Sequence, residues 1–184
     1  MTRTAAFAIR PAAPGDAIAL PDVERSAASL FGAIPALAWL ASGDVCNIET
    51  HAACIAQGTC WVGVDAKGGI AGFLSARPTG DSLHIIELSV RQDAQGHGLG
   101  RRLLHAAMQW ARHAPQAAGR LTLTTFRDVP WNAPFYRKMG FEVMDRPSPE
   151  LARMLEEEEA HGFPPGSRCA MQWRAGDEKT VRNS

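Results

Sequence analysis

The spacing of apolar positions changes along the chain, and the changes mark its elements. "AFAIR" (residues 6–10) is a short apolar strand pattern ended by a Pro/Gly break. Asp16 then predicts the N-cap of a helix running to about Leu30, with Pro21 as a restart point. "GAIPALAWLASGD" is apolar but broken by proline. It predicts a loop or irregular helix that either packs on the core or walls a pocket around Trp39. Residues 48–57 read as a helix stopped by Gly58. Residues 61–64 and 70–75 are strand patterns joined by "DAKGG", a hairpin turn. "SLHIIELSV" (82–90) is almost continuously apolar, as in a central strand buried on both faces, and Glu87 interrupts it.

The period then changes to that of a helix, from about residue 98 to 114. Leu99, Leu103, Ala106, Ala107 and Trp110 form its buried stripe. "LTLTTF" is a β-branched strand and "DVPWN" a turn. A short helix over 133–139 carries Pro134 in its first turn, where the missing N–H costs nothing. Gly140 ends it in the left-handed conformation, with Phe141 packing back. "FEVM" is a strand, "SPELARMLEEEEAHGFPPGS" a helix or ordered loop, and "RCAMQWR" the last strand. Residues 175–184 are expected to form a disordered tail. This order predicts one mixed α/β (α+β) domain over 1–184, with its core at about 6–174.

Charge narrows the partners. Nineteen basic residues balance nineteen acidic ones, which argues against bulk binding of nucleic acid or of a membrane surface. No apolar run approaches the length of a membrane span and no secretory leader is apparent, so a cytoplasmic protein is expected. Cys46, Cys54, Cys60 and Cys169 form no CxxC pair, and no metal-ligand spacing appears near the histidines. The expectation is reduced, mostly buried thiols and no metal.

The stretch after the central strand, "RQDAQGHGLGRR", carries Gly96, Gly98 and Gly100 at alternate positions. It fails the dinucleotide fingerprint, because Arg101 stands three residues beyond Gly98. It fails the phosphate-binding Walker pattern, because Arg101 and Arg102 follow Gly100. What remains is a strand, a glycine turn and a helix N-terminus. That arrangement presents free N–H groups to an anion, with Arg101 and Arg102 adding charge. The alternative is a glycine-rich turn that binds nothing.

"ELSVRQDAQGHGLGRRLL" resembles the [RQ]-x-x-G-x-[GA] signature of the GCN5-related N-acetyltransferase (GNAT) superfamily. "NAPFYRKMGF" (132–141) resembles the family's N-x-x-x-x-Y-x-x-x-G-F helix. The likeness spans Phe7 to about Met144. It implies a mixed, mostly antiparallel sheet of about six to seven strands, splayed in the middle, with helices on both faces. It also implies acetyl-CoA as cosubstrate, with no metal. On that resemblance Gln95, Gly96, His97, Gly98, Leu99, Gly100 and Arg101 cradle the pyrophosphate. Leu88, Ser89 and Val90 pair with the pantetheine arm, a small case of β-augmentation. Asn132 borders the cosubstrate, and Tyr136 protonates the leaving thiolate.

The chemistry also asks for a base, since alkyl amines arrive protonated. Glu87 is the leading candidate, with a structural pairing to Arg77 or Arg127 as an equal alternative. His84 points to the opposite face from Glu87 and reads as structural. Tyr136 has its own alternative, a core tyrosine packed on Phe135 and Phe141. The run Glu156–Glu159 reads as a solvated helical face, with attraction of a cationic acceptor as the weaker reading. No cysteine is placed for an acyl-enzyme route. The expected activity is direct acetyl transfer to a primary amine, a small molecule in preference to a protein or peptide. A non-catalytic acyl-CoA sensor is the rival. A homodimer is left open.

Overall fold

The strand read as central, β4 (Ser82–Val90), holds that place in a computed structural model that describes residues 7–176. Seven strands form an open, mostly antiparallel sheet in the order β1-β2-β3-β4-β5-β7-β6. The chain divides into two compact units within β4. One comprises the chain up to Arg77 together with Ile85–Trp110; the other comprises Pro78–His84 and the chain from Ala111 onward. The tail expected from 175 lies, from 177 on, outside the described residues.

In the first unit, β1 (Ala8–Pro11) pairs antiparallel with β2 (Cys60–Val64), from Ala8↔Val64 to Pro11↔Trp61. β2 pairs antiparallel with β3 (Ile70–Thr79), with an irregularity between Gly63 and Val64. The expected hairpin turn is tied by the Asp65 carboxylate, which accepts N–H bonds from Lys67 (2.8 Å) and Gly69 (3.0 Å). β3 runs on to Thr79, further than its apolar pattern suggests, with Ala76 N–H bonding to the Thr59 carbonyl (2.9 Å).

α1 (Leu20–Ala28) and α2 (Ile48–Ala56) pack Leu20, Val23, Cys54 and Ile55 on Val62 and Phe73. The N-cap expected at Asp16 is corrected. A 3-10 turn over Pro14–Ala19 comes first, and Asp16 is its third residue. Its carboxylate accepts from Ala13 N–H (2.7 Å) and pairs with Arg10 (2.6 Å). The proline-broken segment forms two further 3-10 pieces, Ser29–Ala33 and Pro35–Ser42, with Leu37 buried and Trp39 exposed. α3 (Leu99–His113) buries Leu99, Leu103 and Ala107 as predicted, and Leu104 and Met108 widen the stripe.

In the second unit, the start of β4 pairs in parallel with β5 (Arg120–Phe126) at Leu83↔Leu121 and His84↔Thr122. β5 pairs antiparallel along its length with β7 (Arg168–Arg174), and β6 (Glu142–Val143) joins the far side of β7. α4 (Ala133–Lys138) ends as its sequence requires. Gly140 takes φ +88°, and Phe141 N–H reaches the Tyr136 carbonyl (3.0 Å). α5 (Pro149–Ala160) is capped by Ser148. Its acidic run is more than a solvated face. Glu158 pairs with Arg168 (2.9 Å) and accepts from Thr124 (2.6 Å), fastening α5 to β5 and β7.

Candidate active site

Where β4 ends, backbone and side chains fix the loop that follows. Gly72 on β3 leaves so little room that an added Cβ would sit 2.9 Å from the Ser89 carbonyl oxygen and 3.1 Å from Leu99 Cδ2. The two strands therefore approach closely at the residues expected to meet a pantetheine arm. Arg91 N–H bonds to the Ala71 carbonyl (2.8 Å), and its guanidinium lies between Asp93 and Asp65. Gln95 Nε2 donates to the Val90 carbonyl (2.9 Å), so this side chain staples the loop to the strand.

Gly96 (φ +78°) and Gly98 (φ +76°) take the left-handed conformation that their lack of a Cβ permits. A Cβ at either would meet nothing within 4 Å, so the glycine face of the loop is open. Arg102 N–H bonds to the Gly98 carbonyl (3.2 Å), which starts α3 and leaves the amides of Leu99, Gly100 and Arg101 without helical acceptors. Leu99 is buried and anchors the turn against Gly63 and Gly72. Arg101 and Arg102 are both exposed at the start of α3. The Arg102 guanidinium donates to the Phe7 carbonyl (2.9 Å). His97 is exposed, its ring 6.4 Å from that of Phe7.

Upstream on the same strand, Glu87 is half-buried and accepts a hydrogen bond from Ser89 Oγ (2.7 Å). Its charge acts on a group that sequence reasoning missed. Glu24, on α1, has a side chain only 13% exposed. Both of its carboxylate oxygens accept from Cys46 N–H (3.2 and 3.1 Å), and Oε2 lies 3.8 Å from His51 Nε2. Burial, and then the charge of Glu87, push the Glu24 carboxyl up to about 8. His51 is buried and bonded through Nδ1 to Ser75 Oγ (3.1 Å); burial holds its pKa down. Its Nε2 has no hydrogen-bond partner among the described residues. The signal for both lay in the helix pattern. Glu24 falls on the Leu20–Val23–Ala27 stripe of α1, and His51 on the Cys54–Ile55 stripe of α2.

Donor atoms of Glu24, Cys46 and His51 lie within 4.8 Å of one another. A carboxylate, a thiol that loses its proton on binding and an imidazole are the donor types a borderline ion such as zinc takes. Burial, Glu24 and Glu87 push the Cys46 thiol up to about 12.

The remaining predicted residues belong to the second unit. Tyr136 is buried, with its ring 5.1 Å from Phe135 and 5.5 Å from Phe141. Asn132 precedes α4 and makes no side-chain cap; its buried Oδ1 has no partner among the described residues. A buried amide oxygen in that condition is suited to accept from a bound molecule. His84 is buried and bonded to Thr122 Oγ1 (3.1 Å), as a structural role requires. No helix among the described residues is long and apolar enough to cross a membrane.

A family model described as "Acetyltransferase (GNAT) family" matches residues 33–141. Solved structures agree in fold. A PaiA N-acetyltransferase from Thermoplasma acidophilum, in complex with coenzyme A, is 17% identical with a TM-score of 0.66, over 92% of this chain and 99% of that one. Arabidopsis thaliana Naa50, in complex with the bisubstrate analogue CoA-Ac-MVNAL, is 15% identical with a TM-score of 0.63, over 92% and 99%. N-acetylglutamate synthase from Neisseria gonorrhoeae, complexed with coenzyme A and N-acetyl-glutamate, is 19% identical with a TM-score of 0.62, over 92% of this chain and 35% of that one.

Proposed function

The chain belongs to the acetyltransferase (GNAT) family, and from that premise we propose that it moves the acetyl group of acetyl-CoA directly to a primary amine, with a small-molecule amine as acceptor. The observation that carries the reading is the open loop at Gly96 and Gly98, set between β4 and the N-terminus of α3 inside the matched segment. The cosubstrate supplies an activated thioester. The chain's own groups bind it, orient it and move protons.

The amides of Leu99, Gly100 and Arg101 face the loop as donors for a pyrophosphate, and the α3 dipole adds to them. Gly96 and Gly98 let the backbone come close, Gln95 holds the loop's shape, and His97 lies at its exposed edge. Leu88, Ser89 and Val90 offer strand backbone to the two amides of a pantetheine arm. One of their N–H groups stabilises the oxygen that gains charge as the amine attacks. Asn132 Oδ1 accepts a hydrogen bond from the bound cosubstrate. Tyr136 gives its phenolic proton to the departing thiolate. Glu87 is oriented by Ser89 and belongs to the acceptor side as base or as charge partner for the incoming ammonium.

A thiol-release screen with acetyl-CoA over polyamines, arylalkylamines, amino acids, aminoglycosides and short peptides tests the reading. At least one small amine should drive CoA release well above the amine-free rate. Release driven only by peptides would move the acceptor to the peptide class. Saturable CoA binding with no amine-dependent release would identify a sensor.

A further inference from the structure

We propose that Glu24, Cys46 and His51 form a binding site for one divalent ion of the zinc class, joining α1 to the start of α2. The site goes beyond acetyl transfer and does not depend on it.

The donors come from three places in the first unit. Glu24 is on α1, Cys46 stands just before the Asn47 cap of α2, and His51 is on the first turn of α2. Glu24 lies 22 residues before Cys46, so no motif announces the set. The fold brings one donor atom of each within 4.8 Å of the other two. Zinc bonds of about 2.0–2.3 Å at tetrahedral angles place donors roughly 3.3–3.8 Å apart. Glu24 Oε2 and His51 Nε2 already stand 3.8 Å apart. What remains is within reach of a small rotation of the Cys46 side chain.

A second observation points to a ligand. His51 is fully buried, and its Nε2 has no hydrogen-bond partner among the described residues. At 3.8 Å, Glu24 Oε2 is too far to satisfy it. The other ring nitrogen, Nδ1, meets Ser75 Oγ (3.1 Å), and Phe73 packs edge-on against the ring at 5.0 Å. With Nδ1–H donating to Ser75, Nε2 turns its lone pair to the cluster. Metal-bound histidines are held through their second nitrogen in this way. The carboxylate is oriented too. Both Glu24 oxygens accept from Cys46 N–H (3.2 and 3.1 Å), and each keeps a lone pair for an ion. The residue that brings the sulfur thus also aims the carboxylate. As the metal–sulfur bond forms, the thiol proton leaves to water, as does any proton on Glu24. The two positive charges of the ion then meet one thiolate and one carboxylate. Thiolate and imidazole select zinc over magnesium or calcium, which take oxygen donors. Three protein donors leave a fourth position for water. The Glu24 side chain is 13% exposed and Cys46 is half-buried, which gives the ion a way in from solvent.

The test uses the full chain, reduced and stripped of metal by a chelator. Zn2+ is titrated calorimetrically, and Co2+, which takes the same donors, is followed by absorbance. One equivalent of Zn2+ should bind with micromolar affinity or tighter, in the presence of excess Mg2+. Co2+ should give the near-ultraviolet charge-transfer band of a thiolate–cobalt bond, and Zn2+ should bleach it. C46S should abolish that band, and C46S, E24Q and H51Q should each weaken Zn2+ binding at least tenfold. Circular dichroism checks the fold of each variant. If the buried H51Q does not fold, C46S and E24Q, at partly exposed positions, carry the test. C169S, whose sulfur lies in the second unit, should bind both ions as the wild type does. Saturating Zn2+ should raise the Tm of the wild type and leave that of C46S unchanged. Binding without a thiolate band, or with equal affinity in C46S, would put the ion on other groups and overturn the inference. Failure of both ions to bind would overturn it as well, leaving Glu24 and His51 a structural pair.

Discussion

Replacing Gly72 by alanine tests whether close packing of β3 on the end of β4 positions the cosubstrate strand. The added Cβ would lie 2.9 Å from the Ser89 carbonyl oxygen, 3.1 Å from Leu99 Cδ2 and 3.2 Å from Val90 Cγ2. Leu99 and Val90 can yield by turning side chains, but the carbonyl moves only with the strand. Relief needs a shift of roughly half an ångström in the Ser89–Val90 backbone, and overpacking of this kind costs about 1–3 kcal/mol. The alanine gains back about 0.4–1 kcal/mol by restricting the unfolded chain. A net loss of about 1–2 kcal/mol lowers Tm by roughly 2–8 °C in a chain of this size. If the displaced backbone also loses one hydrogen bond to the pantetheine arm, CoA affinity falls about fivefold, corresponding to about 1 kcal/mol. Differential scanning calorimetry and isothermal titration with CoA measure the two effects. Gly15→Ala is the control, because a Cβ there meets nothing within 4 Å. A G72A protein with wild-type Tm and wild-type CoA affinity would refute the packing argument.

Three further outcomes follow from the same geometry. Tyr136→Phe should lower kcat at least tenfold while CoA affinity, measured by titration, stays within about twofold, as expected for a group acting on the leaving thiolate. Gly98→Asp should abolish CoA binding in the same titration, since it puts a side chain and a negative charge into the open face of the loop at a φ of +76°. Glu24 should make stability depend on pH. Its folded carboxyl, at about 8, holds a proton that the unfolded chain has released above about 4.5. Stability should therefore fall as pH rises through that window, by up to about 1.4 kcal/mol per pH unit, and E24Q should flatten the slope in urea unfolding.

Much of the fold was legible because local signals and packing agreed. The apolar run of β4, the stripe of α3 and the Gly140 stop each needed only their own residues. The start of α1 was misplaced because Asp16 bonds to Ala13 and Arg10, and distance along the chain does not reveal which donors it will reach. The glycine loop was legible as a motif, but the contact of Arg102 was not, since its acceptor is the Phe7 carbonyl far away in sequence. Glu158 likewise reads as one of four like charges until Arg168 on β7 comes beside it. Glu24 and His51 each look ordinary on their own helices, so the sequence does not single them out. Only the fold brings them to Cys46 and sets Glu24 within the field of Glu87.

Amine-dependent turnover is the most direct measure of acetyl transfer by this chain. Purified protein with acetyl-CoA and the amine panel should release CoA thiol in step with the appearance of a singly acetylated amine, detected by mass spectrometry, and Tyr136→Phe should slow both together. Tight CoA binding with no acetylated product from any amine would contradict it.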